Sequence, residues 1–236
     1  MVIYQGDLSK PRLGMSEDEE AAVFQRCQAM RYCGAIVSFV QNYERMSFVN
    51  VESTKYLAAL ALQSYIPFHY ISTAGVGQKE GHAAIEKVSP VWNEPPMDGA
   101  DGYTATKWVS EVFLEKINSL FGLEVTIHRP SNIICDGGPE TDIINNLLEY
   151  SRRMRAVPQL ESWEGHFDFV QGQIAASNIV ESLMTSMARS AQDGPRNRQS
   201  VQHIHESGET VIPINGLSAY LAKDEGAPFK IIALHE

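Results

Sequence analysis

Residues 101–108, DGYTATKW, are the stretch on which the fold of this chain turns. Tyr103 and Lys107 stand four apart, so a helix puts a phenol and an ammonium on one face. The periodicity predicts that helix from about Thr104 to Leu120, with Gly122 as the C′ glycine that ends it. Upstream, IPFHYIST (66–73) is a short apolar run of the kind buried in a parallel sheet, and Thr73 closes it. Downstream, LEVTIHRP (123–130) is a second such run. Between Thr73 and the helix, the segment 75–102 is rich in Gly, Pro, Asp and Glu and is expected to be a long surface loop.

The same alternation extends outward. MVIYQGDL (1–8) is expected to be a strand ending in a turn. SEDEEAAVFQRCQAM opens with Ser16 as N-cap and Glu19 three residues on, a capping-box helix start with four acids in its solvated first turn. A strand is expected within RYCGAIVSFV, and SFVNVESTKYLAALALQSY has the spacing of a buried helix. Past residue 130, ETDIINNLLEYSRRMRAVP and IAASNIVESLMTSMARS are expected helices, and HFDFVQ and VQHIHES expected strands. AQDGPRNRQS is an expected linker, and VIPINGLSAYLAKDEG a hinge with a short helix. Strands alternating with helices predict an α/β fold with a Rossmann-like, mainly parallel, doubly wound sheet.

Bulk properties narrow the classes. A formal net charge of -10 argues against nonspecific nucleic-acid binding, which needs clustered Lys and Arg. Cys27, Cys33 and Cys135 are odd in number and lack C-x-x-C spacing, which argues against a disulfide framework or a zinc site. No apolar run has the length of a membrane span, and no signal peptide is visible, so a cytoplasmic, soluble chain is expected.

The chemistry centres on Thr73, Tyr103 and Lys107. Reducing a carbonyl or thioester carbon creates an oxyanion that needs a proton or hydrogen bonds. A tyrosine near pKa 10 is a poor acid at neutral pH unless a cation stabilises its phenolate, which Lys107 could do. A strand-end hydroxyl such as Thr73 would complete the polarisation of the carbonyl.

Six phrases, GDLSKPRLGMS, SFVNVESTKYL, PFHYISTAGV, GYTATKWVSE, VTIHRPSNI and PETDIINNLL, run through most of the chain in one order. On these the chain resembles the C-terminal reductase, or release, domain of fungal hybrid polyketide synthase–nonribosomal peptide synthetases, extended short-chain dehydrogenases related to thioester reductases. The resemblance implies Thr73, Tyr103 and Lys107 as catalytic hydroxyl, acid and phenolate-stabilising cation, with Lys107 also bonding the nicotinamide ribose. It implies Gly6, Asp7 and Leu8 beside the adenine, and Arg129, Pro130 and Asn132 near the nicotinamide and acyl pantetheine. The implied cofactor is NADPH and the implied partner an acyl thioester on a carrier-protein phosphopantetheine arm. Residues 1–135 would be a partial dinucleotide-binding core and 136–236 a substrate-side region interleaved with the last core elements.

Some features depart from that family. The opening strand, glycine-rich turn and helix that hold a pyrophosphate are not visible, which suggests an N-terminally truncated domain. STAGVG places Gly75 and Gly77 after a strand, but the third glycine is Gly81, and Pro90, Pro95 and Pro96 follow, so a substrate-side loop is expected there. Tyr32 and Cys33 stand where the family usually has His-Asn, and Cys135 where it commonly has Gly. Three functions therefore stay open: an NADPH-dependent thioester reductase, a cofactor-free Dieckmann cyclase releasing a tetramic acid, and a non-catalytic remnant. His203 and His205 share a strand face but lack a third ligand, so no metal is expected. His166 with Asp168 is expected to be a sheet face, and Cys135 has no paired histidine.

Overall fold

The computed structural model describes residues 2–38, 40–77, 102–135, 137, 142–160, 164–193, 201–208 and 210–233. Helix α1 (Glu17–Phe24) starts as its sequence demands: Ser16 Oγ accepts from the Glu19 N–H at 3.2 Å, and the Glu19 carboxylate accepts from the Ser16 N–H at 2.9 Å. Asn42 caps α2 (Tyr43–Gln63) by accepting from the Arg45 N–H. The buried face of α2 recurs at helical spacing through Met46, Asn50, Thr54, Leu57 and Ala61. Helix α3 (Gly102–Phe121) ends as expected, with Gly122 at φ 77° donating its N–H to the Asn118 carbonyl.

The described residues fall into two compact units. Those up to Gly77, those from Gly102 to Arg129, and Ile179–His205 form the first; Pro130–Asn178 and those from Glu206 onward form the second. The first is built on a four-stranded sheet of order β1-β2-β3-β7, with β1 Met30–Tyr32, β2 Phe68–Ile71, β3 Val125–Pro130 and β7 Gln202–Glu206. The first three are parallel, with Tyr32 beside Tyr70 and Tyr70 beside Ile127. Every residue of β3 is buried, which is why LEVTIHRP reads as a continuous run rather than an alternating one. Phe68, Tyr70, Val125 and Ile127 pack with Leu57, Ala58 and Ala61 of α2 and Leu114 and Ile117 of α3.

The second unit holds β4 (Asn132–Ile134) parallel to β6 (His166–Gln171), with β8 (Thr210–Pro213) antiparallel to β6. A further parallel pair joins β5 (Ala156–Pro158) to β9 (Lys230–Ile232). Its core gathers Leu148 of α4 (Ile143–Met154) and Leu217 and Leu221 of α6 (Leu217–Glu225) around Val157, Phe169 and Phe229. Helix α5 (Gly172–Asp193) carries residues of both units.

Two expectations about elements change. Residues 2–7 form no strand: Val2 and Ile3 are 71% and 79% exposed, because β-propensity makes a strand only beside a hydrogen-bonding neighbour, and no described strand lies against them. VIP is not a hinge but most of β8, paired by register to β6. Along the chain the two units divide at Arg129/Pro130, and Ile179–His205 returns to the first. The expected loop over 75–102 begins with a 3-10 turn at Ala74–Val76, and 78–101 lie outside the described residues, as does most of the expected linker. Among the described residues, no helix is long and apolar enough to cross a membrane.

His69 and His128, both fully buried on β2 and β3, are hydrogen-bonded ring to ring at 3.0 Å. Burial, then the charges of His128, Arg189 and Arg31, push the His69 imidazole down to about 4 from an ordinary 6.5. Unfolded His69 binds a proton that the folded chain refuses, so its contribution is complete above pH 6.5 and disappears as pH falls towards 4. Urea unfolding between pH 7 and 4 should show a loss of up to about 3 kcal/mol from this group. His69→Gln should flatten that part of the profile.

Candidate functional site

The polar residues of α3 and the ends of β1 and β2 make one cluster in the first unit. The buried stripe of α3 is polar in its first half, with Thr106, Lys107, Ser110 and Glu111, and apolar in its second, with Leu114 and Ile117. Lys107 is only 2% exposed. Its Nζ donates to the Ile71 carbonyl at 2.7 Å, and it lies 4.7 Å from the Tyr70 ring centre and 5.6 Å from that of Tyr103. Two aromatic faces and a carbonyl thus replace much of its water shell. Burial pushes the ammonium down to about 8, against the opposing effects of Cys33 and Glu111. Tyr70 is held above the ordinary phenol range, mainly by burial.

Thr73 follows Ser72 at the end of β2 and caps the 3-10 turn, its hydroxyl accepting from the Gly75 N–H at 3.3 Å. A Cβ placed at Gly75 would lie 3.2 Å from Thr104 Oγ1 and 3.7 Å from Thr73 Oγ1, so this turn is pressed against the first turn of α3. The structure therefore brings Thr73, Tyr103 and Lys107 to neighbouring strand and helix ends. Continuing the register of Tyr32 beside Tyr70 puts Cys33 next to Ile71, whose carbonyl holds Lys107.

Behind this cluster lies a set of charges that the sequence spacing hints at but does not reveal. Glu111, four residues after Lys107, is fully buried and ion-paired to Arg129, with Arg129 Nη2 at 2.6 Å and Nε at 3.1 and 3.2 Å from its two oxygens. Ser72 Oγ donates to the same carboxylate at 2.5 Å. His203 Nε2 stands 3.2 Å from Glu115 and 4.0 Å from Glu111, so His203 faces α3 rather than forming a ligand pair with His205. Arg129, at 0% exposure, has its guanidinium bonded to Glu111. The periodicity Tyr103, Lys107, Glu111 was the available signal for Glu111.

The other expected residues sit elsewhere. Gly6, Asp7 and Leu8 line a cavity of about 740 Å³ in the first unit, with Ser9, Lys10, Gly14, Ala35, Ile36 and Val49. The Ser9 hydroxyl and N–H donate to Asp7 at 2.6 and 2.9 Å and hold its carboxyl below the usual carboxylate range. A side chain at Gly6 would press on the Leu13 carbonyl at 3.2 Å. In the second unit, Asn132 on β4 donates its amide to the Asp168 carbonyl at 3.2 Å, and Asp168 accepts from the Gly208 N–H. Pro130 ends β3 and is buried. Cys135 is exposed.

Gly102, the first residue of α3, packs against the backbone of Gln41 and Asn42. A Cβ there would stand 2.4 Å from the Gln41 carbonyl oxygen and the Asn42 carbonyl carbon. Backbone cannot yield as a side chain can, so Gly102→Ala should cost about 1–3 kcal/mol of overpacking. Thermal unfolding should show the loss. Cofactor-independent accessibility of Tyr103, read by its ultraviolet titration, should change with it.

The family model described as "Male sterility protein", an NAD-binding family, matches residues 1–179. A hybrid PKS-NRPS synthetase of Fusarium sp, LUC5, is 39% identical over 236 residues, which is all of this chain and 6% of that protein. The polyketide synthase-nonribosomal peptide synthetase phmA of Phaeosphaeria nodorum is 40% identical over 227 residues, 96% of this chain and 5% of that protein. The chain thus spans about one-twentieth of the length of these relatives. Among solved structures, the terminal R domain from the myxalamid PKS-NRPS biosynthetic pathway superposes with a TM-score of 0.73 at 26% identity, covering 98% of this chain and 56% of that one. A UDP-glucuronic acid 4-epimerase from Bacillus cereus in complex with UDP-glucuronic acid and NAD shares the fold, with a TM-score of 0.68 at 15% identity over 95% of this chain and 67% of that one.

Proposed function

Because the chain belongs to the NAD-binding family described as male sterility protein, we propose that it is the reductase-type release region of a polyketide–peptide synthetase. Its substrate is an acyl thioester on a carrier-protein phosphopantetheine arm, and its cofactor is NADPH. The observation that carries this reading is the seat of Lys107, buried on the Ile71 carbonyl, two residues before Thr73, with its ammonium beside the Tyr103 ring. A buried lysine against a tyrosine suits proton transfer to an oxyanion. A cyclase that only removes an acidic α-proton has no use for that pair, so the cyclising alternative is not favoured.

The residues present fit a dinucleotide. The cavity bordered by Gly6, Asp7 and Leu8 is of the size that small ligands occupy, and a Cβ at Gly6 would press on the Leu13 carbonyl. Gly6, Asp7 and Leu8 would border the adenine, and Lys107 the nicotinamide ribose. When bound, the nicotinamide supplies the hydride that reaches the thioester carbonyl carbon. The chain's own groups do the rest. Thr73 and Tyr103 hydrogen-bond the oxygen that becomes negative, Tyr103 gives it a proton, and Lys107 stabilises the phenolate left behind. Collapse of the resulting hemithioacetal breaks the carbon–sulfur bond, returns the hydroxyl proton to the departing thiolate and frees an aldehyde. The first unit would then serve the cofactor, and the second, with Pro130 and Asn132, the acyl pantetheine.

NADPH titration of the chain, followed by nicotinamide fluorescence, should show saturable binding, and an acyl-pantetheine thioester should then be reduced. Tyr103→Phe should lower the rate about 10²–10⁴-fold with little change in cofactor affinity. An unaltered rate would remove Tyr103 as the acid. Lys107→Ala should weaken cofactor binding as well as rate. Since Lys107 loses its proton at about pH 8, the wild-type rate should fall as pH rises through that value.

A further inference from the structure

Glu111 touches neither of the hydroxyls assigned to the reaction, yet it is bonded to the segments that carry all three assigned residues. It lies one helical turn beyond Lys107 on α3, the helix that also bears Tyr103. It accepts from Ser72, the residue before Thr73, and from Arg129 near the end of β3. Its carboxylate is completely removed from water. An unpaired buried carboxylate would be strongly destabilised, and Arg129 answers that with a bidentate, charge-assisted contact.

We propose that Glu111 is the positioning residue of this site. Held by Arg129 and Ser72, it pins the strand end bearing Thr73 to the helix bearing Tyr103 and Lys107, and it sets a carboxylate one helical turn from Lys107 on the same buried face. The inference rests on the assignment of Lys107 given above, and it adds a residue and a task to it.

Two features of the geometry separate this role from plain packing. First, the contact between Ser72 and Glu111 spans 39 residues and joins β2 directly to α3. Thr73 is covalently next to it, so any movement of Glu111 is passed to the Thr73 hydroxyl within one residue. Second, among the described residues few titratable groups face Lys107: Tyr70 of β2, Tyr103 and Glu111 of α3, and Cys33 beyond β1. Glu111 in turn faces Arg129 of β3 and His203 of β7, with Glu115 on its own helix. Burial drives the Lys107 proton off, while Cys33 and Glu111 hold it on. Of these two, Glu111 is the carboxylate fixed in place by three hydrogen bonds from Arg129 and one from Ser72.

The test is Glu111→Gln in the full chain, which keeps an oxygen for Ser72 and Arg129 and removes the charge. Lysine ε-amines labelled by reductive ¹³C-methylation, with Lys107→Arg to assign the resonance, report the protonation of Lys107 without substrate or cofactor. The resonance of Lys107 should titrate about one pH unit or more below its wild-type midpoint. The alkaline limb of the reduction profile should move down by the same interval. Should Glu111→Gln not fold, Glu111→Asp keeps the charge but shortens the reach. It should leave the Lys107 midpoint near the wild-type value while lowering the rate at least tenfold at neutral pH.

A folded Glu111→Gln protein with an unmoved Lys107 midpoint would overturn the proposal. So would a Glu111→Asp protein with a wild-type rate. The amine titration is read without turnover, so it separates the two ideas. If Tyr103→Phe left reduction intact while Glu111→Gln still shifted Lys107, the functional reading would fail and the link between Glu111 and Lys107 would stand.

Discussion

A fully buried ion pair between Glu111 and Arg129 is the constraint around which the first unit is arranged. Removing two charges from water is costly, and their mutual attraction compensates only when geometry and further hydrogen bonds are good. Here three contacts from Arg129 and one from Ser72 satisfy the carboxylate. Breaking one side would leave the other charge stranded, so the pair holds β2, β3 and α3 in one mutual placement. That placement is what brings a short strand end against the first turn of a helix.

Lys107 obeys the same logic at smaller scale. A lysine is rarely buried without partners. This one lies on the Ile71 carbonyl and between two tyrosine rings, so its ammonium is tolerated but easily deprotonated. The helix achieves this by carrying polar residues on its inward face for two turns and apolar ones afterwards. Leu114 and Ile117 anchor α3 in the core, while Thr106, Lys107, Ser110 and Glu111 turn the other half of the same face into a site. An amphipathic helix with a polar start to its buried stripe is destabilised locally, and the apolar half offsets that cost.

The sheet explains the departures from sequence expectation. β1 is a three-residue strand at one end of the order of described strands, and its lead-in is polar. Residues 2–7 have strand-like composition but no hydrogen-bonding neighbour among the described strands, so propensity alone leaves them exposed. β8 was missed for the opposite reason. Its residues are few and end in Pro213, and only the register with Phe167 and Phe169 of β6 makes them a strand.

Sequence by itself determined the elements whose signals are local. The Ser16 capping box, the periodic face of α2, the continuous apolar run of β3 and the glycine that ends α3 all depend on residues within a turn or two of each other. It also determined the candidate trio, because Tyr103 and Lys107 are one helical turn apart and Thr73 closes a recognisable strand. Tertiary structure alone decided what the long-range charges do. That Arg129 pairs with an internal carboxylate depends on residues 18 positions apart meeting across the core. Whether His203 pairs with His205 or turns to Glu115 depends on which helix covers its strand. Burial sets the energy of every charge, and burial is a property of the packed whole that no spacing along the chain contains.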